Sequence, residues 1–251
     1  MAATIPIRQS DLDFDYGTFD AAAFTAESLA GWQSLAAIVD HSLLKAEATR
    51  EQVESLCDEA ARYRFASVMV NPAWATTAVG LLAGTGIPVG AAIGFPLGAS
   101  LVSTLRQEAA ALIRLGVREL GMVLPIGQLK SGNHHAVEHA IHAAAHVAHH
   151  HGAVLKVNLE TCLLTMQEKL RGSEIAIHAG ADLVSTATGF ASGGATPADV
   201  ALIRGVAGAR CGVKAAGRIR TVAQVRALLE AGANRIGSSA SVAIVRELGA
   251  E

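Results

Sequence analysis

Aromatic side chains make up only 4% of this 251-residue sequence. A large core must therefore be built from Ala, Val, Leu and Ile, the residues that fill buried parallel strands and their covering helices, which favours an α/β fold over a β-sandwich. Cysteine is scarce as well. Cys57, Cys162 and Cys211 are odd in number and stand in no Cys-x-x-Cys or Cys/His zinc spacing, so neither a disulfide framework nor a structural metal is indicated, and a reducing cytoplasm is the expected compartment. Neither sign of charge dominates: the formal net charge is -2, with Lys and Arg scattered, which leaves no footprint for nucleic acid or an acidic membrane. The chain also lacks an uninterrupted apolar run of about 18 residues and the basic, apolar and small-residue order of a signal peptide. The expectation is a soluble protein, neither exported nor membrane-spanning, whose partner is a small molecule; no motif points to a cofactor or a catalytic metal.

Apolar residues nevertheless reach 51%, and roughly 250 residues is the usual size of an α/β barrel that forms one domain. From about residue 35 onward, short apolar runs alternate with longer helical patterns, which marks repeated βα units and a parallel sheet. Strands are predicted at 36–39, 67–70, 89–93, 119–124, 154–159, 182–185, 212–215 and 235–237. These eight are enough to close a single (β/α)8 TIM barrel over 35–251. Thr49 with Gln52, Thr165 with Glu168 and Thr221 with Gln224 fit capping boxes, and Pro197 after Thr196 fits a first helical position. Residues 1–34 read as an N-terminal extension, an acidic stretch over 11–20 followed by an amphipathic helix over 21–35, expected to cap the barrel.

Eight of the ten histidines fall between residues 134 and 151. At about 100° per residue, Val137, Ile141, Ala144 and Ala148 form the core stripe, while His135, His139, His142, His146 and His149 lie opposite and face outward. Two readings stand side by side: a metal-binding or pH-responsive face, because neutral His pairs at i, i+4 can chelate, and a merely solvated or subunit-contact face.

In such a barrel the catalytic groups come from the strand C-termini and the loops after them, with phosphate often held after strands seven and eight. Thr188-Gly189 follows the sixth strand, Gly217-Arg218 the seventh, and Gly237-Ser238-Ser239 the eighth, where it opens the last helix. Glycines let backbone approach an oxyanion, and exposed N–H groups and a helix N-terminus favour it. Charged residues within apolar strands are the next clue, and Asp40, Lys156 and Lys214 qualify. A buried Lys can be a Schiff-base nucleophile, a proton shuttle or a phosphate counter-charge, or it can snorkel to solvent. Asn158 shares a strand face with Lys156 and adds a hydrogen-bonding group, whereas His41, adjacent to Asp40, points to the opposite face and forms no dyad with it.

The runs Val39-Asp40-His41-Ser42-Leu43-Leu44-Lys45, Val70-Asn71-Pro72, Ile93-Gly94-Phe95-Pro96, Leu155-Lys156-Val157, Thr186-Ala187-Thr188-Gly189 and Gly212-Val213-Lys214-Ala215, in this order and with regular spacing, resemble the deoxyribose-phosphate aldolase family. The resemblance implies a barrel, a phosphorylated substrate near Asn71 and the glycine loops, and reversible cleavage of 2-deoxyribose 5-phosphate through a Schiff base without metal. It also implies departures. The family's Schiff-base lysine directly precedes its Thr-Ser-Thr-Gly run, and here Ser185 stands in that place. Gly121 stands where the family has a proton-relay aspartate, and Arg218 where its phosphate turn has a second glycine. Lys214 matches the strand-seven lysine. Ser185 supplies no second ammonium that would lower the basicity of Lys214.

The reading that follows is an aldolase-like enzyme acting on a small phosphorylated or acidic carbonyl compound without the family Schiff base, of lyase, dehydratase or cyclase type. Lys214, Asp40 and Ser185 form its catalytic set; Lys156, Asn71, Asn158, Thr188, Gly189, Gly217, Arg218, Gly237, Ser238 and Ser239 form its substrate-binding set. A non-catalytic phosphosugar- or partner-binding barrel is the alternative, and an aldolase with the Schiff base moved to Lys214 is the third. A homo-oligomer is compatible with each.

Overall fold

In the computed structural model, which describes residues 18–251, eight parallel strands pair in chain order: β1 (Val39–Leu43), β2 (Ser67–Val70), β3 (Val89–Ile93), β4 (Glu119–Val123), β5 (Val154–Asn158), β6 (Leu183–Ser185), β7 (Gly212–Ala216) and β8 (Arg235–Ser238). β8 pairs back onto β1, with Val39 opposite Ile236 and Asp40 opposite Gly237, so the sheet is a closed TIM barrel without an edge. Eleven helices are described: α1 (Ala21–Ser28), α2 (Trp32–Ala36), α3 (Arg50–Tyr63), α4 (Ala75–Leu81), α5 (Val102–Arg114), α6 (Ile126–Lys130), α7 (His134–His150), α8 (Met166–His178), α9 (Pro197–Ala207), α10 (Val222–Glu230) and α11 (Ser241–Arg246). None is long and apolar enough to cross a membrane.

Strand alternation divides the apolar residues in two. Val39, Val68, Val70, Ala91, Ile93, Leu120, Met122, Leu155, Val157, Val184, Val213, Ala215 and Ile236 are buried in the main core between sheet and helices. Their neighbours along each strand point into the lumen, where polar and small residues gather. Two helices start as predicted, with both halves of the capping box formed at Thr49–Gln52 and Thr165–Glu168. At α10 only half forms: Thr221 accepts from Gln224 N, but the Gln224 side chain accepts from Arg220 N instead. Thr196 caps α9, with Pro197 in its first turn.

Two expectations are corrected. The first strand begins at Val39, not at residue 36, because Ala36 closes α2; it runs on through polar Asp40-His41-Ser42, since a barrel strand buries both faces, and His41 turns out toward α3 and Phe65 while Asp40 turns in. The single helix over 21–35 is broken, since Gly31 takes an extended backbone and caps α2 without a side chain. The extension packs on the outer helices: α1 lies on α10, α2 on α11, and Phe19 under the Arg204 guanidinium. The acidic stretch lies, up to residue 17, outside the described residues. On α7 the predicted stripe holds: Val137, Ile141, Ala144 and Ala148 are buried, and His135, His139, His142, His146 and His149 are exposed.

Candidate active site

Asp40 is the hub of the lumen. Its carboxylate accepts from Ser67 Oγ (2.7 Å), Lys156 Nζ (2.6 Å) and Arg235 Nε (2.6 Å), and lies 2.5 Å from Lys214 Nζ. Lys156 also donates to Glu119 Oε2 at 2.5 Å, and Arg235 Nη2 donates to Glu119 Oε1 at 3.0 Å. Three formal positive charges thus share two negative ones inside the barrel, a satisfied network in which no member reaches much water. Burial by itself pushes the Asp40 carboxyl up, but Lys156, Lys214 and Arg235 outweigh it and hold the group well below the usual carboxylate range. Lys214 moves below the ordinary lysine value, chiefly through burial; Asp40 opposes the change, while Lys156 and Arg235 add to it. Ser185 supplies no ammonium beside Lys214, but Lys156, across β6, brings one near it through their common partner Asp40.

Above this layer opens a cavity of about 340 Å³ at the C-terminal ends of the strands. Lys156, Asn158, Thr188, Gly189, Lys214, Gly217, Arg218, Gly237, Ser238 and Ser239 all line it, so the three glycine loops converge on one space. Gly189 and Gly217 have φ of +86° and +98°, and Arg218 follows at +63°, a conformation that turns the loop back under Gly194. Of the hydroxyls, Ser238 Oγ donates to Ile219 O and accepts from Ala240 N, and Thr188 Oγ1 accepts from Phe190 N; both shape turns. The last helix begins at Ser241, later than Ser238-Ser239, and is only six residues long.

Three predicted residues are not in the cavity wall: Asp40, in the layer beneath it, and Asn71 and Ser185. Asn71 donates its amide to the carbonyls of Leu44 and Lys45, at 3.1 and 3.3 Å, and so holds the loop after β1 rather than facing a ligand. Ser185 is fully buried on the lumen side of β6, paired in register with Asn158 and Lys214, and its Oγ has no hydrogen-bond partner among the described residues. Asn158 itself donates to Met122 O at 3.0 Å. Gly121 borders the cavity, where a Cβ would come within 3.0 Å of Met69 Cε. Glu160 lies beyond the end of β5, at φ +58°, and accepts from Thr188 N, so it braces the β6 loop and does not share the lumen face with Lys156.

Sequence reading missed Glu119 and Arg235, which open their strands on the inward face, and Lys45 and Arg220 at the mouth. The signal for the first two was period two, since Glu119 and Gly121, like Arg235 and Gly237, must share a face. Among the described residues of the wall, Lys45, Lys156, Lys214, Arg218 and Arg220 are cationic and none is acidic. Phe95 and Phe190, ring centroids 5.2 Å apart and edge to face, form an apolar side of the entrance. A space with a cationic floor and mouth, glycine loops and one lysine of lowered basicity is suited to an anionic carbonyl compound.

Known proteins agree with this geometry. The chain is 49% identical over 212 residues to the deoxyribose-phosphate aldolase of Geobacillus sp. (strain WCH70), spanning 84% of this chain and 95% of that one. The chain belongs to the deoxyribose-phosphate aldolase family. The aldolase of Lysinibacillus sphaericus is 47% identical over 216 residues, 86% of this chain and 96% of its own. Among solved structures, the tetrameric deoxyribose phosphate aldolase of Aeropyrum pernix superposes with a TM-score of 0.83 at 30% identity, covering 91% of this chain and 96% of that one. No protein-family model matches the chain. Membership makes it an aldolase-like barrel enzyme.

Proposed function

We propose that this family member acts on a small phosphorylated or acidic carbonyl compound by non-covalent catalysis at Lys214, as a carbon–carbon or carbon–oxygen lyase, a dehydratase or a cyclase. The observation that carries the reading is the cavity wall, whose charged members are all cations and whose floor holds Lys214 against Asp40. The anionic end of the substrate sits at the mouth, against the backbone N–H groups around Gly189, Gly217 and Ser239 and the side chains of Arg218 and Lys45. Its carbonyl then points inward to Lys214 Nζ. An ammonium of lowered pKa is a better proton donor than an ordinary lysine, and it stabilises the enolate oxygen that develops as a bond to the neighbouring carbon breaks. Asp40, held ionised, positions Lys214 and takes no proton itself. The Ser185 hydroxyl, buried in register with Lys214 and without a partner among the described residues, has a free hydrogen bond to offer a water in the layer beneath the substrate.

A second reading, with the Schiff base on Lys214, is favoured by one observation, the lowered basicity that burial, Lys156 and Arg235 give this amine. Borohydride trapping separates the two. The chain is incubated with 2-deoxyribose 5-phosphate and acetaldehyde, reduced, and read by intact and peptide mass, beside turnover assays on a panel of phosphorylated carbonyl compounds. Non-covalent catalysis gives turnover without an adduct, and Lys214→Ala lowers kcat by about 10²–10³, the usual effect of removing one oxyanion donor. An adduct on Lys214 overturns it in favour of the relocated Schiff base. Saturable binding with no turnover across the panel leaves a phosphosugar-binding barrel.

A further inference from the structure

α7 lies outside the barrel chemistry, and none of its residues lines the cavity. Its histidines nevertheless divide into two groups. His134 accepts from Arg171, His149 pairs with Asp182 at 3.0 Å, and His150 packs edge-on against His151. His135, His139, His142 and His146 are different: all four are exposed, and among the described residues they have only each other. His135 and His139 are stacked with ring centroids 6.4 Å apart, and His142 and His146 lie at the same separation with their rings tilted by 54°.

We propose that the outer face of α7 binds two divalent transition-metal ions, one chelated by His135 and His139 and the other by His142 and His146. Side chains four residues apart on a helix are neighbours on one face, and a metal–imidazole bond of about 2.0–2.1 Å is satisfied between two such rings after a small closing rotation. Because the rings are exposed and free of other partners, that rotation breaks no hydrogen bond. The ligand set selects the ion. Neutral imidazole suits Zn²⁺, Ni²⁺ and Cu²⁺, whereas Mg²⁺ and Ca²⁺ require oxygen donors that the stripe lacks. No three His, Cys, Asp or Glu side chains converge among the described residues, so each ion keeps water in its remaining positions and stays exchangeable. The helix itself supplies the rigidity: Val137, Ile141, Ala144 and Ala148 anchor its other side in the core, which holds both pairs at fixed spacing and makes each site a chelate rather than two independent histidines.

The test is isothermal titration of the untagged full chain with NiCl₂ and, separately, ZnCl₂, with MgCl₂ as control. Two ions bind per chain and Mg²⁺ does not. The His135→Ala/His139→Ala variant retains one ion, His142→Ala/His146→Ala retains one, and the quadruple variant none. The single change His139→Ala weakens its site at least tenfold, because a lone imidazole loses the chelate. Alanine is the better helix former, so the variants keep α7, which circular dichroism verifies. Two ions retained by the quadruple variant, a total of one ion per chain that either double variant abolishes, or equal binding of Mg²⁺ overturns the assignment.

Discussion

Replacing Asp40 with Asn is the sharpest perturbation of the lumen. The change is nearly isosteric, so it leaves packing alone and removes one negative charge from a group with three formal positive and two formal negative charges. The amide oxygen can still accept from Ser67 Oγ and Arg235 Nε, but its NH₂ then faces the ammonium groups of Lys156 and Lys214, which are donors only. Lys214 is left without an anion in contact, and Lys156 keeps only Glu119. Removing one partner from a buried ion network costs about 3–5 kcal/mol, a large share of the roughly 5–15 kcal/mol that holds a domain folded. Urea titration followed by circular dichroism reads this as a drop in midpoint at unchanged slope. Adding Lys214→Met to Asp40→Asn removes one of the stranded cations, so the double variant is expected to be more stable than Asp40→Asn alone, with a coupling energy of about 1–3 kcal/mol. A loss below about 1 kcal/mol for Asp40→Asn, or additive effects in the double variant, refutes the claim that these charges act as one network.

Two further outcomes follow from the same structure. Restoring the residues that the family resemblance implies, Ser185→Lys with Gly121→Asp, is expected to create borohydride-trappable chemistry at position 185; the new Cβ at 121 crowds only the flexible end of Met69, at about 1–3 kcal/mol of stability. A correctly folded variant with no adduct at 185 shows that this position does not address the substrate carbonyl. His41 gives a pH signature: burial lowers its pKa, with Glu59 opposing. The unfolded chain therefore binds more protons than the folded one in the window from about 6.5 down to the folded value, and stability falls on acidification through it, by at most about 1.4 kcal/mol per pH unit. Urea midpoints between pH 7 and 5 measure the slope, and a His41→Gln chain that keeps the full slope contradicts the assignment. Asp40 acts at lower pH, its contribution being present above about pH 3.9 and lost as pH falls through its folded value.

Local signals in this chain were legible and long-range ones were not. β2 and β3 fall where alternation with helical patterns placed them, because short Val- and Ala-rich runs bounded by turns carry their own mark. The buried stripe of α7 was equally plain, since one helix decides it. At the site, Lys156 and Lys214 were visible as charges inside apolar strands, and the glycine loops as turns at strand ends. What escaped was pairing across the closure: Arg235 reaches Asp40 from 195 residues away, and only because β8 returns to β1.

That closure also determines which charges matter. Asp40 and Arg235 start from opposite ends of the barrel sequence, and nothing in either local stretch names the other as its partner. Once the sheet shuts, both point into a space already holding Glu119, Lys156 and Lys214, and the only low-energy arrangement is for all five to share hydrogen bonds. The lowered basicity of Lys214 is thus a property of the closed ring, not of β7. A strand-seven lysine in an open sheet would keep its water and its ordinary pKa; here, one layer below the cavity and beside two other cations, it cannot. Under the proposed function, a ligand with a carbonyl oxygen to offer Nζ relieves part of that penalty, and the site is expected to favour a group that can accept a proton or a hydrogen bond at this depth over one that cannot.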